Sequence, residues 1–261
     1  MPLTRVTQLP YANPDSVGLP SIAVPTESER LLVADARLAN WLRADAGYSA
    51  TGWACRKTNK VLAPFGSGSM PNRATLPAYN GKEALQFASV ANEIFCAGLL
   101  PAAADVTVVC FGRAGPTNDT AYLWSNGKAG GQGLTYHRHM TAGNVQAVIN
   151  DVTYIANTAD PELAPSANGP HVSEWSLDQA AKDLFLSINA KPGTSAGFVK
   201  ANLNVASNAG TEFHLGGSNG AGGIDGGDIG ELMICTVPLH LPAHADLRAL
   251  IWTVLHERYG I

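Results

Sequence analysis

The chain of 261 residues has 17 lysines and arginines against 21 aspartates and glutamates, so at a net charge of −4 it lacks the basic surplus needed to neutralise a phosphate backbone. Nucleic acid is thereby excluded as the expected partner. Charged residues make up only 15% of the chain, and 27 glycines and 16 prolines punctuate it, which predicts many turns, short strands and a surface of Asn, Ser, Thr and Gly.

Prolines at 2, 10, 14, 20 and 25, with apolar residues at no regular period, predict an extended arm. Such a segment cannot bury much of itself. Leu9, Tyr11, Val17, Leu19, Ile22 and Val24 are therefore the candidate partner-binding residues, suited to strand addition or groove binding on another surface. No basic start followed by an apolar core marks a secretory leader, and no apolar run has the length of a membrane span. Thr26 to Glu29 fits a capping box and predicts a short helix from Glu29 to Ala34. The expected organisation is an anchoring arm over residues 1–37 and one sandwich domain over 38–261.

Beyond the arm, short apolar runs alternate with turn clusters, the pattern of a sandwich rather than of βαβ units. The expected strands are Glu83–Ser89, Val106–Gly112, Ala121–Ser125, Leu134–His139, Asn144–Asn150, Val172–Leu177, Asp183–Asn189, Thr211–Gly216 and Asp228–Cys235. Leu85 and Phe87 against Glu83 and Gln86, and Leu184, Leu186 and Ile188 against Asp183, Phe185 and Ser187, read as half-buried strands. VTVVCF is apolar on both faces and belongs at a sheet centre. Residues 156–170 form the longest irregular stretch, a candidate functional loop. One helix follows Pro242, with Leu247, Leu250, Ile251, Val254, Leu255 and Tyr259 on one face and Gly260 ending it. Cys55, Cys96, Cys110 and Cys235 form no C-x-x-C pair and read as buried free thiols.

The segments NWLRADAGYSATGW, PAYNGKEALQF, ADVTVVCFGR, KDLFLSIN, EFHLGGS and GDIGELMICTVPLHLPAHADLRALIWTVLHERYGI resemble, in order, the concanavalin A-like, laminin-G-type jelly roll over residues 38–261. Asn80, Gly81 and Phe87 match its early Asn-Gly and strand end. Gly227, Asp228, Ile229, Glu231, Tyr259 and Gly260 match its penultimate strand and the helix ending Tyr-Gly. Where the family has an aspartate two residues after an early tryptophan, this chain has Cys55 after Trp53, and no polar role is carried over there. The resemblance implies an all-β, two-sheet antiparallel sandwich with an extended N-terminal arm and one C-terminal helix. The glycine-rich run from Gly216 to Gly227 supplies positive-φ positions for a tight loop, and Asp228 and Glu231 are expected to orient the start of the next strand through backbone amides.

Catalytic readings find little support in spacing. Asp225, Asp228 and Glu231 lie three apart, so on a regular strand they face opposite sides and cannot pair in one cleft as a glycoside hydrolase requires. Gly216 to Gly220 satisfies G-x-S-x-G around Ser218, with Asp225 or Asp228 and His240 or His244 after it, but no helix follows the serine. His137 and His139, and His240 and His244, lack a third zinc ligand, and neither Gly81-Lys82 nor Gly127-Lys128 completes a phosphate loop. No cofactor is expected. Calcium at a loop rim is the alternative, with Asn118, Asp119, Asp225 and Asp228 as its candidates. Trp124, Tyr136 and Trp175 are candidates for stacking on sugars, with core packing the favoured account of the tryptophans.

The expectation from sequence is a non-enzymatic display protein of a virus particle, a bacteriophage capsid decoration or tail adhesion component. The arm fastens it to a capsid or tail protein, and it self-associates as a trimer, without membrane or nucleic acid. A stand-alone carbohydrate-binding module is the alternative, and a glycoside hydrolase the third.

Overall fold

The computed structural model describes residues 25–100, 104–113, 120–127, 135–140, 145–149, 152–157, 170–189, 198–202, 212–218, 220 and 223–261. All six arm residues, Leu9, Tyr11, Val17, Leu19, Ile22 and Val24, lie outside them, as does most of the 156–170 stretch.

Helix α1 (Glu27–Ala34) begins two residues before the expected Glu29, because Thr26 is its N-cap, with Oγ1 accepting from the Glu29 amide at 3.2 Å. The reciprocal half of the box is not made, because the Glu29 carboxylate instead receives Arg43 of β1 (Leu38–Arg43). Short strands follow, β2 (Tyr48–Ser49), β3 (Gly52–Ala54), β4 (Val61–Pro64) and β5 (Asn72–Leu76). A 3-10 turn at Pro77–Tyr79 and the left-handed Asn80 (φ 53°) and Gly81 (φ 68°) lead into β6 (Lys82–Phe87). Then come β7 (Ile94–Ala97), β8 (Val106–Arg113), β9 (Thr120–Gly127), β10 (Thr135–Met140), β11 (Val145–Ile149) and β12 (Val152–Asn157). The chain continues through β13 (His171–Asp178), β14 (Asp183–Ile188), β15 (Phe198–Asn202), β16 (Glu212–Leu215) and β17 (Gly227–Cys235) to helix α2 (Ala245–Tyr259).

Among the described residues these strands form two antiparallel sheets, as expected. The first runs β15-β14-β13-β8-β17-β6-β5, and β1 also joins it beside β17. The second runs β12-β11-β10-β9-β16-β7-β4-β3-β2. Strand β17 lies along β8, and on its other side it is shared: Gly227 to Ile229 pair with β6, and Glu231 to Cys235 pair with β1. VTVVCF of β8 is central, buried on both faces between β13 and β17.

Alternation along β8 and β17 sorts their side chains into two cores. Val106, Val108, Cys110, Leu232 and Ile234 point between the sheets, against Trp124, Trp175 and Phe213. Val109, Phe111, Met233 and Cys235 point the other way, against Leu32 of α1 and Leu247, Ile251, Val254 and Leu255 of α2. The molecule is thus three layers deep, with the helices on the first sheet. Trp41, Trp53, Trp124 and Trp175 are fully buried. At roughly 200 Å² of ring and about 25 cal/mol per Å², each contributes on the order of 5 kcal/mol before entropy, several times a surface ion pair. This assigns Trp124 and Trp175, whose rings meet edge to face at 5.1 Å, to the core and not to sugar stacking.

Helix α2 ends on Gly260 at φ 72°, as expected. It is also buried at Arg248 and Trp252, positions outside the predicted stripe, because the first sheet offers them a carboxylate: Glu174 of β13 accepts from Arg248 Nε and from Trp252 Nε1. All four cysteines are free and buried. Cys55 does take a polar part: its sulfur accepts from the Trp41 amide at 3.2 Å and the Lys57 amide at 3.4 Å, and faces Asn40 Oδ1 at 3.6 Å. No helix among the described residues is long and apolar enough to cross a membrane.

Candidate functional site

Strand β16 reads EFHL. Phe213 and Leu215 enter the core between the sheets, so Glu212 and His214 point to the outer face of the second sheet. The neighbouring strand β7 reads IFCA, with Ile94 and Cys96 inside, and Phe95 therefore shares that outer face, opposite His214 in register. Phe65, just beyond β4, completes the cluster. Its ring meets Phe95 edge to face at 5.6 Å and His214 at 5.0 Å, while Phe95 stacks on His214 at 5.9 Å. Both phenylalanines remain half-exposed.

Beneath this aromatic platform lies a buried carboxylate. Glu93 and His214 are each 1% exposed, and Glu93 Oε1 lies 2.5 Å from His214 Nδ1. The other oxygen, Oε2, accepts from the Gly220 amide at 2.8 Å. Glu93 thereby ties the glycine-rich loop to the sheet. The loop has to be glycine where it crosses: a Cβ on Gly217 falls 2.5 Å from Glu93 Oε2, and one on Gly216 (φ 75°) falls 2.3 Å from the Phe87 ring. On its far side the imidazole Nε2 lies 3.6 Å from Glu212 Oε2, whose side chain is 37% exposed. A carboxylate that fixes one imidazole nitrogen sets the orientation of the ring and presents the other nitrogen to the half-exposed acid. The site therefore offers an aromatic surface, a rim carboxylate and a ring held from behind.

The sequence-predicted positions fall elsewhere. Asp228 and Glu231 are buried on β17, and their partners are side chains, not backbone amides. Arg113 holds Asp228 Oδ2 at 2.7 and 2.8 Å, and Trp41 Nε1 donates to Glu231 Oε1 at 2.5 Å. Contrary to the expectation from spacing, Asp228 and Glu231 do not face opposite sides of β17. The register against β8 slips between Ile229 and Glu231, a bulge that adds one residue and returns Glu231 to the face of Asp228, towards Tyr79, Tyr259 and the helices. Burial raises the Glu231 pKa, against the opposing pull of Arg258 and Arg43.

Of the calcium candidates, Asn118 and Asp119 lie outside the described residues, Asp225 sits half-buried in the turn before β17, and Asp228 is engaged by Arg113. His137 and His139 sit on β10. His240 is half-buried, with Nδ1 2.8 Å from Ser176 Oγ and its ring stacked on Phe185 at 3.8 Å. Ser218 is 5% exposed and lies in the loop between β16 and β17, and among the described residues of that loop no helix follows it. Glu93, His214, Phe65 and Phe95 are not among the candidates that the sequence singles out. Only the alternation of EFHL and IFCA signals that their polar or aromatic members point outward.

The two-sheet antiparallel sandwich with helices packed on one sheet is similar in fold to β-sandwich domains in solved structures of a sialidase and of a toxin binding domain. Trypanosoma rangeli sialidase in complex with sialic acid superposes over 85% of this chain and 34% of its own, with a TM-score of 0.60 and 12% identity. The same sialidase with the inhibitor DANA matches 84% of this chain and 33% of its own, at a TM-score of 0.57 and 11% identity. The binding domain of botulinum neurotoxin DC in complex with SialylT matches 84% of this chain and 52% of its own, at a TM-score of 0.53 and 9% identity. The chain thus spans about a third of the sialidase structures and about half of the toxin structure. No family model matches the sequence, and no curated protein does. The expectation of a non-enzymatic chain is corrected by these neighbours: the sialidases are enzymes, and this fold occurs within them.

Proposed function

We propose that this chain is a glycan-recognition domain whose binding face is the outer surface of the second sheet around Phe65, Phe95 and Glu212, with the buried His214 beneath them. The observation that carries the reading is the half-exposed Phe65–Phe95 pair beside the Glu212 carboxylate. Aromatic faces accept the C–H surface of a pyranose, and a rim carboxylate accepts its hydroxyl hydrogens. The sandwich likeness to a toxin binding domain and a sialidase, both in complexes, supports the same reading.

Within this proposal the arm, with Leu9, Tyr11, Val17, Leu19, Ile22 and Val24, mounts the domain on a larger assembly, for which a virus particle and a trimeric arrangement are the proposed setting. The apolar residues that the arm cannot bury within itself favour it.

The test is binding of the full chain to an array of immobilised sialylated and neutral glycans, alongside Phe95→Ser and Glu212→Gln. Saturable binding to a subset of glycans, weakened at least about tenfold in both variants with near-ultraviolet circular dichroism unchanged, is the expected result. Binding that survives both substitutions, or no binding at all, would overturn the assignment. Mass spectrometry of density-purified particles tests the setting, which fails if the chain is absent from them.

A further inference from the structure

A second site lies on the helix side of the molecule, away from the aromatic platform. Helices α1 and α2 and the start of β6 enclose a pocket of about 250 Å³, into which Arg43, Arg56, Arg258 and Lys82 bring positive charge and Glu29, Asp45 and Glu257 negative. Arg43 is taken by Glu29 and by Asp45, 2.8 Å from its Nε. Arg258 is taken by Asp45 at 2.5 Å, with Glu231 behind it at 3.7 Å. Glu257 accepts from Thr26 Oγ1 at 2.9 Å and from Ser28 Oγ, so it occupies the N-terminus of α1.

Two cations are left over. Arg56 reaches no closer than 3.7 Å to Glu29, its guanidinium stands 4.2 Å over the Trp41 ring, and its NH1 atom is buried with no hydrogen-bond partner. Lys82 is exposed at the pocket mouth, and among the described residues no carboxylate pairs with it. A buried guanidinium nitrogen without an acceptor is costly, and such groups mark places where a ligand or ion completes the site. Burial, followed by the neighbouring Arg43 charge, already presses against the charge on Arg56, an opposition that an anion in the pocket would offset.

We propose that this pocket binds a small monocarboxylate, no larger than a single uronic acid, held between Arg56 and Lys82. Arg43, Arg56, Lys82 and Arg258 against Glu29, Asp45 and Glu257 leave the lining with a surplus of one positive charge, which one negative charge balances without displacing any of the built-in ion pairs, whereas a second would be in excess. The flat fork of Arg56 suits the two oxygens of a carboxylate, and the pocket volume limits the rest of the ligand to one ring. The inference is independent of glycan recognition at Phe65 and Phe95, and either can fail alone.

Calorimetric titration of the full chain with sodium glucuronate, glucose and inorganic phosphate tests it. The expected result is saturable binding of glucuronate and none of glucose, with affinity lowered at least about tenfold in Lys82→Glu and largely kept in Lys82→Arg. Because Lys82 is exposed, both variants are expected to keep the native circular dichroism. An Arg56→Lys variant, which keeps the charge and loses the fork, is expected to bind more weakly than the parent chain. Absence of glucuronate binding, unchanged affinity in Lys82→Glu, or phosphate binding as tight as glucuronate would each overturn the proposal.

Discussion

Glu174 of β13 and Arg248 of α2 form a two-point ion pair in the layer between the first sheet and the helix: Nε lies 3.1 and 2.9 Å from the two carboxylate oxygens, and NH2 lies 2.9 Å from the second. Trp252 Nε1 and Ser187 Oγ, each at 3.1 Å, supply further donors to the same carboxylate. The charge is therefore surrounded by donors in a region from which water is excluded. Removing one partner strands the other, and Glu174→Ala is expected to lower unfolding free energy by about 3–5 kcal/mol. Replacing both, as Glu174→Leu with Arg248→Met, should recover most of that loss. Denaturant melts of the three chains check this, and a double variant no more stable than Glu174→Ala would contradict it.

The close passage of Gly217 over Glu93 predicts a steric cost. Glu93 cannot swing aside easily, because His214 and Gly220 hold it from two directions. Gly217→Ala is expected to destabilise by about 1–3 kcal/mol, the range for overpacking, and to weaken glycan binding by shifting the loop. A thermal midpoint equal to that of the parent chain would show that the loop yields freely.

Acid should loosen the joint between the helices and the sheet. Arg37 donates to Asp35 from Nε at 3.0 Å and to Asp246 from NH1 at 2.9 Å, and these bonds hold both carboxyl groups below their ordinary value of 3.8, Asp246 at about 2. Asp45 is also lowered, since Arg43 and Arg258 together outweigh its burial. A depressed folded-state pKa contributes stability that is fully present above the unfolded value and lost as pH falls through the folded one. Thermal midpoints measured downward from pH 5 should therefore hold until about pH 4 and then drop, and Arg37→Met should flatten part of that drop.

Thiol chemistry offers an independent check on the core. Cys110 and Cys235 are fully buried, and burial raises the pKa of both well above that of a free thiol. Neither is expected to react with Ellman's reagent in the native state, and all four cysteines should react after unfolding in denaturant without reductant. Fewer than four reactive thiols would contradict the free-cysteine assignment.

The sandwich was legible where burial leaves a simple signature. Strands β8 and β17 lie between neighbours in a sheet covered on both faces, so VTVVCF and LMIC form apolar runs that stand out between turns. Strands β3, β4, β5 and β7 are short, and NRATL or VLAP has no period of its own. Their extended form comes from partners such as β6, which pairs with β5 from Asn72 to Leu76. Strand β1 hides for another reason: its Asn40 and Arg43 are buried polar groups, satisfied by the Leu99 carbonyl at 2.9 Å and by Glu29 and Asp45. The site was less legible still. Glu93 and His214 meet across 121 positions of sequence, and the bulge that turns Glu231 to the side of Asp228 is invisible to any count of alternating residues.

Strand β17 occupies the middle of the first sheet, yet its neighbours β1, β6 and β8 all precede it by more than a hundred positions. During synthesis these three strands wait with open edges, because the ladder that joins them is translated long after they are. Folding of this domain is therefore governed by long-range closure, and it belongs with slow, high-contact-order sandwiches that take milliseconds or longer. The interval before β17 arrives is also when its unpaired neighbours are most open to joining the wrong chain.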